Sequence, residues 1–191
     1  MRIIMRRALT PLAVLLLAAC GGGDEDSKTG GEAAEQTQPS SQTLAAALQG
    51  EDGFGTLSAT ATNAGLTSVL EGVGPYTVFA PADAAFTAGG TAADLTDESL
   101  RAQSAALLRA HIVPGALTRE DIAAAIQRDG GEVQMRTMAN SLLTFSQDGE
   151  AIVVTAENGA KGRLLGEERL ASNGVLQPVD ALLVQPEPPP A

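Results

Sequence analysis

Partway along this chain the residue pattern changes from short helices to short strands, and that change restricts the fold more than any other feature. Up to Gly130-Gly131 the segments read mostly as helices; from Glu132 apolar residues alternate in runs of four to six, separated by turn dipeptides. Two alanine-rich helices are predicted over 43–49 and 53–63, with a further turn over 65–70. Tyr76-Thr77-Val78-Phe79 is β-rich and bounded by Gly74-Pro75 and Pro81, so it reads as a short buried strand. Asp83 is placed to cap a helix that it opens. Thr96-Asp97-Glu98 begins a longer helix with acids in its first turn, and Leu100, Ser104, Leu107, Leu108 and His111 share one face of it up to Pro114-Gly115. Thr118 and Asp121 form a capping-box pattern for a helix that runs to Arg128. Beyond it, strands are predicted over 133–137, 142–146, 151–155, 163–165, 169–172 and 175–184, with Asp148-Gly149 and Asn158-Gly159 as tight turns. Helices gathered in the first half and strands in the second imply an α+β domain rather than alternating βαβ units.

The N-terminal region has a different character. Arg2, Arg6 and Arg7 precede an apolar run over 9–19, broken only by Thr10 and Pro11, and Leu17-Ala18-Ala19-Cys20 closes it. A basic start, a short apolar run and small residues form the pattern of a secretory signal, too short to span a bilayer. The tetrapeptide resembles a bacterial lipobox, which implies a diacylglycerol on Cys20 and cleavage before it; a plain signal peptide with a stray cysteine is the simpler alternative. The expected organisation is therefore a signal over 1–19, a lipidated flexible tether over 20–42, a folded domain over 43–184 and a proline-rich tail over 185–191. Losing three of the 12 basic residues leaves nine against 23 acidic ones, a formal charge of −14. Such a surface repels phosphate backbones, so nucleic acid is not an expected partner, and it repels anionic headgroups, so lipid on Cys20 must supply the membrane partner. With its single thiol acylated, the domain has no disulfide and must rely on a conventional core. Gly21, with no aspartate after the cysteine, resembles lipoproteins sorted to an outer membrane, facing either the periplasm or the outside.

Little in the chain suggests catalysis. His111 is the single histidine, no Gly-x-Ser-x-Gly elbow occurs, and no glycine-rich phosphate loop is present. One histidine and one cysteine give no zinc spacing, and Asp24-Glu25-Asp26 and Glu167-Glu168 lack the alternating ligands of a calcium loop, so no metal or other cofactor is expected. On its apolar stripe His111 reads as a buried imidazole bonded to backbone.

Two segments carry a family resemblance. Thr77-Val78-Phe79-Ala80-Pro81-Ala82-Asp83-Ala84-Ala85-Phe86 resembles the first signature block of the fasciclin domain, and Ala171-Ser172-Asn173-Gly174-Val175-Leu176-Gln177-Pro178-Val179-Asp180-Ala181-Leu182-Leu183 resembles the second. Between them His111-Ile112-Val113-Pro114-Gly115 and Leu117-Thr118-Arg119-Glu120-Asp121-Ile122 are similar to the family's central segment. The resemblance implies a wedge of two β-sheets with helices packed at one side. It implies structural roles for Thr77 and Phe79 in a central strand, Pro81 and Asp83 at the strand-to-helix change, Phe86 in the core, His111, Pro114 and Gly115 in the central segment, Asn173-Gly174 in a turn, and Asp180 on an apolar strand, where it needs internal hydrogen-bond partners. Two positions depart from the pattern. Ala110 stands before His111 where animal members have a tyrosine implicated in integrin adhesion. Pro178 replaces an apolar β-residue, which implies a sheet edge or a bulge.

These readings together favour a non-enzymatic, lipid-anchored interaction module for adhesion to protein or matrix at a bacterial envelope. A periplasmic carrier of a small apolar ligand, held between helices and sheet, is the alternative. A hydrolase using His111 is the third and weakest reading.

Overall fold

The computed structural model describes residues 40–88 and 94–184; the expected signal, Cys20, most of the expected tether and the proline-rich tail lie outside the described residues. The chain first builds three short helices, α1 (Leu44–Gly50), α2 (Gly55–Asn63) and α3 (Thr67–Glu71). Strand β1 (Tyr76–Pro81) follows, then α4 (Asp83–Ala88), two 3₁₀ turns (Asp94–Thr96 and Glu98–Leu100), α5 (Arg101–Ala110), β2 (Ile112–Pro114) and α6 (Arg119–Arg128). The second half is β3 (Glu132–Arg136), β4 (Leu142–Asp148), β5 (Ala151–Ala156), β6 (Lys161–Arg163), β7 (Arg169–Ala171) and β8 (Gly174–Val179). They form two four-stranded sheets, ordered β2-β1-β8-β7 and β3-β4-β5-β6. The β1–β8 pair is parallel, which unites the two halves of the chain, while the second sheet is an antiparallel meander.

Alternation along β1 explains how one strand serves two cores. Val78 and Ala80 join Leu44, Leu57, Leu70, Phe86 and Leu107 under the helices. Phe79, between them, points the other way and packs on Phe145 of the second sheet at a ring-centroid distance of 5.1 Å. Ile112 and Val113 on β2 divide in the same way. Helix α6 closes the second core with Ile122 and Ile126, which lie four apart on one face. Its start has the full reciprocal capping box: Asp121 N–H donates to Thr118 Oγ1 at 3.1 Å, and Thr118 N–H to Asp121 Oδ2 at 3.1 Å. That arrangement holds the Asp121 carboxyl below its ordinary value through the Thr118 hydroxyl and amide.

Several boundaries differ from the sequence reading. The helix expected from Thr96 starts as a 3₁₀ turn, with the Asp97 side chain accepting the Ser99 N–H at 2.8 Å, and becomes α-helical at Arg101. It stops at Ala110 rather than at Pro114-Gly115, because Ile112 and Val113 leave it to pair with Val78 and Thr77. Strand β1 runs through Pro81 instead of stopping before it. The last strand ends at Val179, five residues before the expected limit. Pro178 sits on an internal strand rather than on an edge strand. Val179 C=O accepts Ala82 N–H on the β1 side, and on the other flank, beyond the end of β7, Pro178 C=O accepts Leu165 N–H at 2.8 Å beside the Leu164–Val179 bridge, while Leu165 C=O accepts from Arg119 instead of from a strand amide at 178.

Candidate functional site

The signature residues can be followed from their backbones outward. Thr77 is fully buried; its hydroxyl donates to Gly115 C=O at 2.7 Å and accepts Leu117 N–H at 2.8 Å, so it pins the turn after Pro114. Gly115 occupies that turn at φ +110, a conformation that favours glycine, and donates its N–H to Pro75 C=O. Asp83 does not cap its own helix. Its Oδ1 accepts Thr56 N–H at 2.8 Å, in the first turn of α2, whose N-cap residue Phe54 has no side-chain acceptor to offer. The start of α2 thus borrows a cap from α4. Phe79 and Phe86 are fully buried.

His111 is also fully buried. Nδ1 lies 2.8 Å from Leu107 C=O and Nε2 3.0 Å from Leu183 N–H. A carbonyl on one side and an amide on the other assign the tautomer: Nδ1–H donates and Nε2 accepts. Burial pushes the imidazole down to about 4, with the Leu107 hydrogen bond acting the other way. It joins α5 to the chain beyond β8 as a neutral spacer. Ala110, before it, is buried too, so this pair presents no surface to a receptor.

Asn173 is a three-way clamp. Its Oδ1 accepts Leu44 N–H at 2.8 Å, at the start of α1, and its Nδ2 donates to Leu70 C=O at 2.9 Å and Gly72 C=O at 2.7 Å, at the end of α3. The next residue must be glycine, because a Cβ on Gly174 would stand 1.9 Å from Tyr76 C=O. Asp180 is exposed just beyond β8 rather than buried on it, and accepts Arg163 N–H at 2.6 Å.

The buried polar residue of β8 is instead Gln177, which the sequence reading missed. Its Nε2 donates to Glu168 Oε2 at 2.6 Å and Leu117 C=O at 3.1 Å, and its Oε1 accepts from Arg119 Nε at 3.1 Å. Arg119 also donates to the carbonyls of Gly166 and Leu165, and its backbone N–H reaches Glu168 at 2.7 Å. Burial lowers the guanidinium from its ordinary value, opposed by Glu168 and Glu167. The one sequence signal was a glutamine inside an apolar run, since an amide there needs partners.

Thr77, His111, Asn173 and Gln177 are engaged with backbone or with other side chains of the domain. A groove of about 520 Å³ opens outward at the end of the first sheet, between Val73–Pro75, the connection into α6 and the β7–β8 hairpin, and a more polar one of about 400 Å³ lies among Asp148, Lys161, Arg163 and Asp180. Val73, Pro75, Leu170 and Val175 give the first an apolar lining, and Val73 is 98 % exposed. Between α1, α2 and α3, by contrast, the space amounts to about 10 Å³. No group of three or more metal-ligating side chains occurs among the described residues.

Comparison with known proteins gives a consistent picture. A family model described as the fasciclin domain matches residues 52–185. "Protein sll1483" of Synechocystis is 30% identical over 188 residues, covering 97% of this chain and 97% of that protein. Transforming growth factor-beta-induced protein ig-h3 of Sus scrofa is 32% identical over 140 residues, 70% of this chain but 18% of that protein, so this chain spans less than a fifth of it. Among solved structures, the FAS1 domain pair from the insect cell adhesion molecule Fasciclin I superposes with a TM-score of 0.65 at 16% identity, over 75% of this chain and 51% of that one, a likeness of fold.

Proposed function

The chain belongs to the fasciclin-domain family, and from that premise we propose that it is a lipid-anchored, non-enzymatic interaction module of a bacterial envelope, used in adhesion to protein or matrix. Fasciclin domains are generally non-catalytic binding modules. The observation that carries the proposal is the division of labour within the domain. The signature side chains Thr77, His111 and Asn173 are engaged in internal hydrogen bonds that hold the fold, while the Val73–Leu170 groove, which the Ala171–Val175 part of the second signature block helps to line, leaves apolar surface open to solvent. The name of the insect relative supports adhesion as the use of such a surface. The lipobox-like Cys20 and the glycine- and acid-rich stretch after it support an anchored, tethered arrangement. Among the described residues no helix is long and apolar enough to cross a membrane.

The alternative reading, a carrier of a small apolar ligand held between helices and sheet, gains no support from the space among α1, α2 and α3, whose 10 Å³ has room for one water at most. The test of the proposal is a deletion strain scored for attachment to protein- and matrix-coated surfaces, with acyl labelling of the wild-type chain. Loss of attachment, restored by the wild-type gene, together with label that depends on Cys20, is the expected result. Unchanged attachment would overturn the interaction reading, and label absent from Cys20 would overturn the anchor.

A further inference from the structure

The electrostatics of the groove narrow its partner, an inference that deepens the interaction reading and rests on it. Four exposed acids lie within three residues in sequence of those that line the groove: Glu71 at the end of α3, Glu120 and Asp121 at the start of α6, and Glu167 before β7; Glu168 beside it is half-buried and bonded to Gln177 and the Arg119 N–H. The two arginines next to these acids in sequence, Arg119 and Arg169, are already engaged. Arg119 holds Gln177 and two backbone carbonyls, and Arg169 pairs with Glu51 at 2.8 Å and Glu167 at 3.9 Å. The N-terminal end of α6, where an anion would otherwise be drawn, already presents its first amide to the Glu168 carboxylate. The groove is thus apolar in its lining and negative around it.

Its near edge is also occupied. Ser40 N–H donates to Leu170 C=O at 3.0 Å, and Ser172 N–H to Gln42 C=O at 2.8 Å, so the incoming chain lies along β7 and the hairpin offers no free strand edge there. A partner must therefore bind through side chains. The preceding stretch of this chain does not suit the groove, since Asp24, Glu25, Asp26, Glu32 and Glu35 face Lys28 as their single cation. A second copy brings the same acidic rim, and an anionic bilayer is repelled in the same way. We infer that the Val73–Leu170 groove binds a segment of another protein in which apolar side chains are flanked by lysine or arginine: Val73 and Leu170 take the apolar part, and Glu71, Glu120 and Glu167 take the flanks.

The test uses a phage-displayed library of random dodecapeptides, panned on the full chain and counter-selected on its Val73→Asp variant. Val73 is exposed, so the substitution leaves the core intact. The expected enriched set carries apolar residues next to at least two basic ones. A synthetic peptide of that consensus is expected to lose about tenfold in affinity on Val73→Asp, from lost burial of one valine. It should lose roughly threefold on Glu71→Gln with Glu120→Gln, and bind the wild type more weakly as salt rises. Enrichment of acidic or neutral peptides, no enrichment over the variant, or equal affinity for the variant would overturn the inference. Val73-dependent binding to phosphatidylcholine vesicles would overturn it in favour of a lipid surface. If deletion abolishes attachment while no basic peptide is enriched, this inference fails and the interaction reading stands. If deletion leaves attachment unchanged while basic peptides bind through Val73, the adhesion reading fails and the groove's preference stands.

Discussion

Acid should destabilise this domain through one residue. His111 is fully buried with both ring nitrogens bonded, and burial lowers its pKa to about 4. Protonation would set a second N–H against Leu183 N–H and leave a buried charge. In the unfolded chain the same imidazole titrates near about 6.5. Between those values the unfolded state binds more protons than the native state, so stability is fully present above the unfolded value and falls as pH drops toward the folded one. A displacement of about 2.5 units corresponds to about 3 kcal/mol, most of it lost by pH 4. Asp97 and Asp121 are held below the ordinary carboxylate value by hydrogen bonds from Ser99 and Thr118 and add acid sensitivity of their own, so the wild type is compared with a variant that does not titrate at residue 111. His111→Gln keeps a donor and an acceptor but does not titrate. Urea unfolding of both proteins at pH 7, 5.5 and 4 should therefore show the wild type losing about 3 kcal/mol more than the variant, a midpoint difference of about 1.5 M at a slope of about 2 kcal/mol/M. Parallel losses in the two proteins would refute the buried neutral imidazole.

Other substitutions test the internal clamps. Asn173→Ala removes three hydrogen bonds to the backbone of α1 and α3, and should cost about 2–4 kcal/mol in urea unfolding, with increased amide exchange at Leu44 if those helix ends open. Gly174→Ala places a Cβ 1.9 Å from a backbone carbonyl at φ +157, and should cost more than about 3 kcal/mol or prevent soluble expression, whereas Gly149→Asn, at an open turn with φ +62, should be tolerated by the same measure. Asp83→Ala should cost about 1–2 kcal/mol, with lost exchange protection at Thr56 in α2 rather than in α4.

What could be read in advance was local. The Thr118–Asp121 box and the apolar face of α5 depend on residues a few positions apart, and short-range spacing reports them; the hairpin expected at Asp148-Gly149 forms one residue later, with Gly149-Glu150 as its turn between the paired Asp148 and Ala151. Strand β2 was hidden because Ile112 and Val113 continue the apolar run of the preceding helix; their partners on β1 lie more than thirty residues upstream. The buried polar residue expected at Asp180 is Gln177, since β8 ends at Val179, where its partner β1 ends at Pro81, and a partner distant in sequence leaves no mark in the local pattern. Asp83 read correctly as a cap but for the wrong helix, because a carboxylate's reach in space is not confined to its neighbours in sequence. The groove gave no signal at all: its walls come from three separated segments of small or single apolar residues, none unusual alone.

The central claim is that the signature residues hold the fold while the Val73–Leu170 groove meets the partner. Attachment of cells carrying Val73→Asp in the chromosomal gene, with chain amount and membrane fraction measured alongside, tests it most directly. The account predicts attachment reduced to that of the deletion strain while the variant chain remains as abundant and as membrane-associated as the wild type. Wild-type attachment by the Val73→Asp cells would contradict it.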